Sequence, residues 1–302
     1  KQEKLPSPKL MGEWNKVSWF ANSTRLRIHF SEANIDQCIA LAKACGVKTL
    51  YHPEAFSTWG HFTLNRGLFP NGRAGLKACV EKAEKEGVIL GIHTLSNFIT
   101  INDAYITPKP HPNLAVSGVT RLAKDLEPGD RDIQLADDAP IDIYRKQASG
   151  GDYEGGGSHK VLRIGDELIY FDRVSEQKPW TLHGCQRGWN GTKAARHRQG
   201  SEVAKLISHP YKVFFPDMNL LTEMAENLAD LVNETGIKRM SFDGFEGCYA
   251  SGHGKYGCNR FATAFYQRLK DKNFSLCSSI TTNYFWHILS FESWGEPWTG
   301  GF

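Results

Sequence analysis

Four β-rich runs of the sequence end in side chains that can carry out acid–base or hydrogen-bonding chemistry. The residues at these ends are His52 with Glu54, His93, Asp243 with Glu246, and Asn283. One such residue at a strand end is weak support for a site, whereas four successive strand ends are stronger support. Because the carboxyl ends of parallel strands meet at one face of a barrel, we expect these side chains to form one site.

The carboxylates predict cleavage of a glycosidic bond. That reaction uses one carboxylate to stabilise or trap an oxocarbenium-like centre and a second carboxyl group to protonate the leaving oxygen. Asp243 is followed by Gly244, which leaves the backbone uncrowded beside a sugar ring, and Glu246 follows closely. Glu296 lies between two tryptophans, a setting suited to sugar stacking. We therefore predict Asp243, Glu246 and Glu296 as catalytic residues.

A second set of residues is predicted to contact the substrate. The chain contains eight tryptophans, and indole rings offer large apolar faces with a polar edge. Polar side chains at the strand ends would hydrogen-bond to sugar hydroxyls. The predicted substrate-binding residues are His52, Glu54, Trp59, His93, Asn97, Asn283, Trp294 and Trp298.

Two other functions are compatible with the same residues. His52, His93 and Asp243 could supply imidazole and carboxylate ligands to zinc or manganese in a barrel hydrolase or isomerase. The sequence has neither a His-x-His pair nor a bridging lysine at these strand ends, so we predict no metal and no cofactor. A non-catalytic carbohydrate-binding protein is the third candidate.

The elements that must position these residues repeat one pattern, in which a helix with one apolar face is followed by glycine and a short β-rich run. The three clearest repeats cover 34–52, 74–93 and 220–243, and glycine occupies positions 46, 87 and 236. A helix that ends at glycine before a strand is typical of parallel α/β folds. A fourth helix precedes a strand near 274–280, and a first strand is expected near 26–30.

These repeats predict an α/β fold of the (β/α)8 TIM-barrel type, interrupted by a small all-β domain after the third strand. The inserted segment, 113–208, has short alternating strands and glycine-rich turns, so the barrel is assigned to 1–112 and 209–302. Without the insertion about 200 residues remain, and a barrel needs about 250. We therefore expect the barrel to be incomplete and this chain to be a fragment of a longer protein.

Four segments around the second and third strands form a recognisable pattern, namely Gly60-His61-Phe62, Leu68-Phe69-Pro70-Asn71-Gly72, Gly75-Leu76, and Gly87 to Ile92. This pattern resembles that of the melibiase-type (α-galactosidase-like) retaining glycoside hydrolases. The stretch from Phe215 through Gly236 to Asp243 looks like the fourth unit of that family. The resemblance covers about 150 residues around the insertion.

The resemblance implies a retaining, exo-acting α-glycosidase that acts on an oligosaccharide or polysaccharide. It implies that Asp243, at the end of the fourth strand, is the nucleophile. The family commonly has lysine two positions before this aspartate, and this chain has Ser241, so galactose specificity does not follow. The acid/base aspartate of the family ends a sixth strand, which the predicted strands do not reach.

The hydrophobic and charged fractions, 40% and 23%, are ordinary for a soluble globular protein, and the strand-end residues together with the family resemblance predict a carbohydrate as its partner. A net charge of +3 on 302 residues gives no reason to expect nucleic acid, and no apolar run approaches the roughly 20 residues of a membrane span. The sequence starts at Lys1 without an initiator methionine, so we expect that a targeting segment either was removed or was never part of it. We predict a secreted, periplasmic or cell-surface location. Cys248 and Cys258 could pair in an oxidising compartment. The oligomeric state stays open.

Overall fold

The computed structural model describes residues 5–145, 160–209 and 211–292. The predictions for Trp294, Glu296 and Trp298 fall outside the described residues.

The described strands are short, and most have two to six residues. They are β1 (Lys9–Leu10), β2 (Glu13–Trp14), β3 (Arg25–Arg27), β4 (Thr49–His52), β5 (Ile89–Leu95), β6 (Ile99–Thr100), β7 (Val116–Arg121), β8 (Ile133–Gln134), β9 (Val161–Ile164), β10 (Glu167–Tyr170), β11 (Arg173–Val174), β12 (Thr181–His183), β13 (Glu202–Leu206), β14 (Ser208–His209), β15 (Val213–Phe214), β16 (Arg239–Asp243), β17 (Ser275–Ser278) and β18 (Phe291–Glu292).

Longer helices separate several of these strands. They are α1 (Ile35–Ala44), α2 (Gly72–Lys85), α3 (Ile141–Arg145), α4 (Met218–Thr235), α5 (Glu246–Ala250) and α6 (Gly254–Arg268). The chain divides into two compact units, of which unit 1 comprises 1–97, 221–249 and 253–302, and unit 2 comprises 98–220 and 250–252.

Unit 1 is built on a six-stranded parallel sheet whose strands follow each other in chain order, β3-β4-β5-β16-β17-β18. The predicted parallel order of the second to fifth strands is therefore confirmed. Each outermost strand, β3 and β18, pairs with one neighbour within the part of the chain that the structure describes. The described sheet thus has six strands and does not close into the eight-stranded barrel.

The helices of unit 1 form where one helical face is apolar. Helix α2 buries Leu76, Cys79, Val80 and Ala83, which are the residues that the sequence pattern places on one face. A fully buried leucine or valine contributes about 1.5–3 kcal/mol. The glycines that follow α1, α2 and α4 have φ of 67°, 72° and 77°, a left-handed conformation that lets the chain turn into the next strand.

The register of the sheet defines two faces, because paired residues of parallel strands point to the same side. The inner face carries Arg25, Arg27, Thr49, Tyr51, Ile89, Gly91, His93, Leu95, Arg239, Ser241, Asp243, Ser275, Cys277 and Phe291. The sheet curls around this face, since the guanidinium carbon of Arg25 on one edge strand lies 5.5 Å from the ring of Phe291 on the other.

Unit 2 is mainly antiparallel. Its strands form three sheets with the orders β10-β9-β13-β7, β11-β12-β8 and β14-β15-β6. Strands β6 and β15, at positions 99–100 and 213–214, pair with each other, so segments on both sides of the predicted insertion limits belong to this unit. The short helix α3 also lies inside the segment that was predicted to be all-β.

A buried ion cluster lies inside unit 2. The side chain of Glu167 is 1% exposed and accepts hydrogen bonds from Arg187 Nε and Nη2 at 2.7 and 2.8 Å. His197 Nε2 lies 2.7 Å from the same carboxylate, and the backbone amides of Gly188 and Ala195 donate to it. Every oxygen of this carboxylate is therefore satisfied inside the protein.

No helix in the described part of the chain is both long and apolar enough to cross a lipid bilayer.

Candidate active site

Asp243 is the last residue of β16, a strand whose other side chains lock it into the sheet. Met240 and Phe242 are fully buried on the outer face. The backbone amide of Gly244 donates a 2.9 Å hydrogen bond to Asp243 Oδ1, and the amide of Ser96 donates to the Asp243 carbonyl oxygen at 2.7 Å. The carboxylate is half-buried and therefore held at the carboxyl end of the sheet with a fixed direction.

Gly244 makes the turn after this strand possible. Its φ is 87°, and a Cβ atom at this position would lie 3.2 Å from both Leu95 Cα and Ser96 N. Two constraints thus act together, a left-handed backbone and close approach of the chain that leaves β5. The sequence suggests that this glycine leaves room for a sugar ring beside Asp243, whereas in the structure the backbone that leaves β5 occupies the space next to it.

His93 lies next to Asp243 on the inner face. Its Nε2 atom is 3.9 Å from Asp243 Oδ2, and its strand neighbour in β16 is Ser241. Burial lowers the pKa of His93, and the positive charges of Arg27 and Arg25 lower it further, while Asp243 and Glu54 act in the opposite direction. The imidazole is therefore mainly neutral near pH 7, although a carboxylate lies beside it.

Glu246 begins α5, three residues after Asp243. Burial raises the pKa of Glu246, and the negative charge of Asp243 raises it further. Its Oε2 atom is buried and has no hydrogen-bond partner. A carboxyl group with a raised pKa therefore lies in the same turn as Asp243. In enzymes with two catalytic carboxyl groups, a difference in pKa lets one act as the acid and the other as the nucleophile.

The structure places His52 away from this group, which corrects the prediction that it contacts substrate. His52 pairs in register with Ile92, so it lies on the outer face of the sheet, whereas His93 lies on the inner face. Its side chain is fully buried, with the rings of Phe30 and Phe69 at 5.1 and 6.1 Å.

Burial and the neighbouring His29 lower the pKa of His52 to about 4. The Nδ1 atom of this neutral ring accepts a hydrogen bond from the Glu54 amide at 3.0 Å. His52 and His93 lie on opposite faces of the sheet and cannot bind one metal ion together. The described residues contain no group of three or more histidine, cysteine or acidic side chains arranged to hold a metal.

The remaining predicted contacts are spread over the loops at the carboxyl ends of the strands. Glu54 is exposed after β4 and acts electrostatically on His93. Trp59 is half-buried later in that loop, and Asn283 is exposed after β17. Asn97 is fully buried, and neither atom of its side-chain amide has a hydrogen-bond partner. The structure thus brings together Asp243, His93, Glu246 and Glu54.

Arg27 is a residue of this site that the sequence reasoning missed. It pairs in register with Tyr51, which places it on the inner face, and its charge lowers the pKa of His93. The alternation of Arg25 and Arg27 in the first strand was the available signal, because alternate residues of a strand share a face.

Comparison with known proteins gives structural similarity only. No protein-family model matches the sequence, and no curated protein matches it. The solved structures to which it is similar include glycoside hydrolases.

One is a GH36 α-galactosidase from Geobacillus stearothermophilus bound to 1-deoxygalactonojirimycin, at 11% identity and TM-score 0.43, with 83% of this chain and 26% of that chain covered. Another is the trehalose-6-phosphate hydrolase of Bacillus licheniformis, at 9% identity and TM-score 0.49, covering 87% and 45%. A third is an α-galactosidase from Thermus thermophilus in complex with stachyose, at 11% identity and TM-score 0.41, with 90% of this chain and 43% of that chain covered. The chain therefore spans less than half the length of each of these three proteins.

Proposed function

We propose that this protein is a retaining, exo-acting α-glycosidase of the α-galactosidase-like type that acts on an oligosaccharide or polysaccharide. The observation that carries the proposal is the pair of carboxyl groups in the β16–α5 turn. Asp243 is fixed at the strand end, and the pKa of Glu246 is raised by burial and by Asp243. Paired carboxyl groups with different proton affinities are what glycoside cleavage requires.

In the proposed reaction the Asp243 carboxylate attacks the anomeric carbon while the glycosidic C–O bond breaks. The Glu246 carboxyl group transfers its proton to the leaving oxygen, and a covalent glycosyl ester forms on Asp243. Glu246, now a carboxylate, takes a proton from water as that water attacks the anomeric carbon and releases Asp243. His93 and Glu54 are proposed to hydrogen-bond to the sugar hydroxyls beside the nucleophile.

The substrate class is proposed as an α-linked sugar because of the family resemblance of the chain. Ser241 lies directly beside His93 in the sheet, at the position where that family has lysine. The inner face of this chain therefore lacks that lysine ammonium group, and the identity of the sugar is left to experiment. A panel of aryl α-glycosides is the appropriate first screen.

The test uses two variants of Asp243 in the complete protein. Asp243→Asn keeps the shape of the side chain and removes its charge, so turnover should fall by several orders of magnitude. Azide added to Asp243→Gly should restore part of the activity and yield a glycosyl azide of inverted anomeric configuration, because the small anion replaces the missing carboxylate on its own face of the sugar.

A matched control is Asp36→Asn, which removes an exposed carboxylate that pairs with Lys82 and should leave turnover unchanged. Activity that survives Asp243→Asn would remove Asp243 as nucleophile. Tight oligosaccharide binding without turnover in the unmodified protein would instead favour the non-catalytic carbohydrate-binding protein.

A further inference from the structure

Two arginine side chains share the inner face of the unit 1 sheet at the end opposite Asp243. Arg239 is the first residue of β16, and Arg25 is the first residue of β3. The guanidinium carbons of both lie against the ring of Phe291, at 5.2 Å for Arg239 and 5.5 Å for Arg25. The two like charges are therefore neighbours in the interior of the curved sheet.

The described contacts of the Arg25 and Arg239 guanidinium groups are with neutral groups. Arg239 Nη2 donates to the Ala21 carbonyl oxygen at 3.1 Å, and Nη1 donates to that of Phe20 at 3.5 Å. Arg25 lies over the ring of Tyr51 at 5.0 Å. Within the described residues no carboxylate forms an ion pair with either guanidinium group.

Arg239 keeps its charge in this setting. It is 2% exposed, and burial lowers its pKa, with a further contribution from Arg25, to about 10. A group with that pKa is still protonated at neutral pH. A buried charge without a counter-charge is strongly unfavourable, so this position calls for an anion.

Four buried polar atoms near the amino-terminal ends of these strands, on two adjacent levels of the inner face, have no hydrogen-bond partner. They are Arg25 Nη1, Arg239 Nε, Thr49 Oγ1 and Ser275 Oγ. Thr49 pairs in register with Arg25, and Ser275 pairs with Arg239, so the four side chains share the inner face. Each unpaired buried donor costs about 1–3 kcal/mol, and a charged donor costs more.

The backbone opposite Arg239 leaves room for its side chain. Gly91 pairs with Arg239, and a Cβ atom at Gly91 would lie 2.9 Å from both Arg239 Cβ and Tyr51 Cδ2. The level of the sheet that holds the arginine therefore has no side chain at its central position.

We propose that Arg25, Thr49, Arg239 and Ser275 form a binding site for a small oxyanion, which we call the arginine cluster. Guanidinium and hydroxyl groups together offer the donors that phosphate or carboxylate oxygens accept. Arg25 is half-buried, whereas its Nη1 atom is buried.

This site is distinct from the candidate active site and does not depend on the proposed glycosidase function. Arg239 and Asp243 are the two ends of the five-residue strand β16, so they are roughly 13 Å apart along the strand. An anion at the arginine cluster would neutralise the interior of the sheet and would not contact a sugar at Asp243.

The test measures thermal unfolding of the complete protein in phosphate, in acetate and in chloride at equal ionic strength and pH. At about 100 times the dissociation constant, phosphate or acetate should raise Tm by roughly 5 °C relative to chloride. Comparing phosphate with acetate distinguishes a tetrahedral oxyanion from a carboxylate as the preferred ligand. Isothermal titration with phosphate supplies the direct binding measurement.

The variant Arg25→Met should abolish the anion-dependent rise in Tm, and Arg25→Gln, which also removes the charge, serves if the methionine variant does not fold. The control Arg268→Met removes a positive charge that pairs with Asp230 on the surface and should keep the full rise. Equal Tm in all three salts would overturn the proposal. So would a rise that persists in the Arg25 variants or that disappears in the control.

Discussion

Asp243 and Glu246 are three residues apart in the chain, but different local structures hold them. Asp243 ends a strand, and the residues before and after it are buried. Glu246 begins a helix, and its Oε2 atom is buried without a hydrogen-bond partner. The difference in burial and partners raises the proton affinity of Glu246. His93, 3.9 Å from Asp243, is kept mainly neutral by its own burial.

The raised pKa of Glu246 predicts the form of the pH–rate profile. A general acid must be protonated, so activity should be present below the pKa of Glu246 and lost as pH rises through it. Glu246→Gln should remove this alkaline limb and reduce turnover of substrates with poor leaving groups by about 100-fold or more. Activated aryl glycosides, which need little protonation, should be much less affected.

The matched control for that experiment is Glu84→Gln, a change on the exposed surface of α2 that should leave the profile unchanged. If Glu246→Gln keeps the alkaline limb, another group is the acid, and Glu296 is the next variant to make.

The charge of Arg27 leads to a second prediction at the residue scale, a shift in the pKa of His93. Burial is the largest cause of the lowered pKa of His93, and Arg27 adds to it. Arg27→Met should therefore raise the pKa of His93, which NMR titration of the imidazole protons would detect. The same change at Arg121, an exposed residue of unit 2, should leave the titration unchanged. An unaltered His93 pKa in Arg27→Met would place Arg27 too far from the site to act on it.

At the scale of elements, the turn from β16 into α5 is what keeps the two carboxyl groups together. The turn passes close to the end of β5, and Gly244 is the residue that allows both the left-handed backbone and the close approach. Helix α5 then begins at Glu246, so the position of this carboxyl group depends on the geometry of the turn.

Gly244→Ala tests this dependence. The added methyl group would meet Leu95 and Ser96 at about 3.2 Å with φ near 87°, so we expect a loss of stability of roughly 1–3 kcal/mol together with reduced turnover. Gly87→Ala is the control, since Gly87 has φ of 72° and nothing within 4 Å of a Cβ atom. It should lose stability through backbone strain alone and keep its activity. Equal effects of the two changes on turnover would argue against close packing at Gly244.

At the scale of the whole molecule, the division of the chain into two compact units predicts that they can unfold separately. Burial alone would raise the pKa of Glu167 in unit 2, but hydrogen bonds from His197, Arg187 and two backbone amides outweigh it and lower the pKa to about 2. Because the pKa of Glu167 is depressed from its ordinary value of 4.5, the ionised carboxylate stabilises the folded state. This contribution to the free energy of unfolding is complete above pH 4.5 and is lost as pH falls toward 2.

Glu167→Gln should destabilise unit 2 by about 3–5 kcal/mol at neutral pH, because it leaves Arg187 buried without its counter-charge. The stability of unit 2 in this variant should also depend less on pH between 4.5 and 2. Hydrogen exchange in strands β9, β10 and β13 measures the effect, with exchange in β4 and β5 of unit 1 expected to stay unchanged.

The surface variant Glu202→Gln, which removes a partner 4.0 Å from Arg163, is the control and should cost under about 1 kcal/mol. A parallel loss of protection in unit 1 after Glu167→Gln would show that the two units unfold together.

The sequence by itself determined the local elements and the order of the parallel strands. Apolar spacing in α2 and the glycine after it are local signals, and local signals suffice for a helix that turns into a strand. The same pattern predicted that Asp243 and His93 end neighbouring strands, since consecutive strands of a parallel α/β fold are adjacent in the sheet. The strands are indeed adjacent, although β5 continues past His93 to Leu95.

Only the tertiary structure decided which side of the sheet each polar residue faces. A shift of one residue in a strand moves a side chain to the other face, and this is why His52 lies among Phe30 and Phe69 whereas His93 lies beside Asp243. Pairing over long distances likewise decided the limits of unit 2, where β6 pairs with β15, and brought Arg25 and Arg239 together across the curved sheet. Register and curvature arise from contacts between residues distant in the chain, so no local pattern of the sequence contains them.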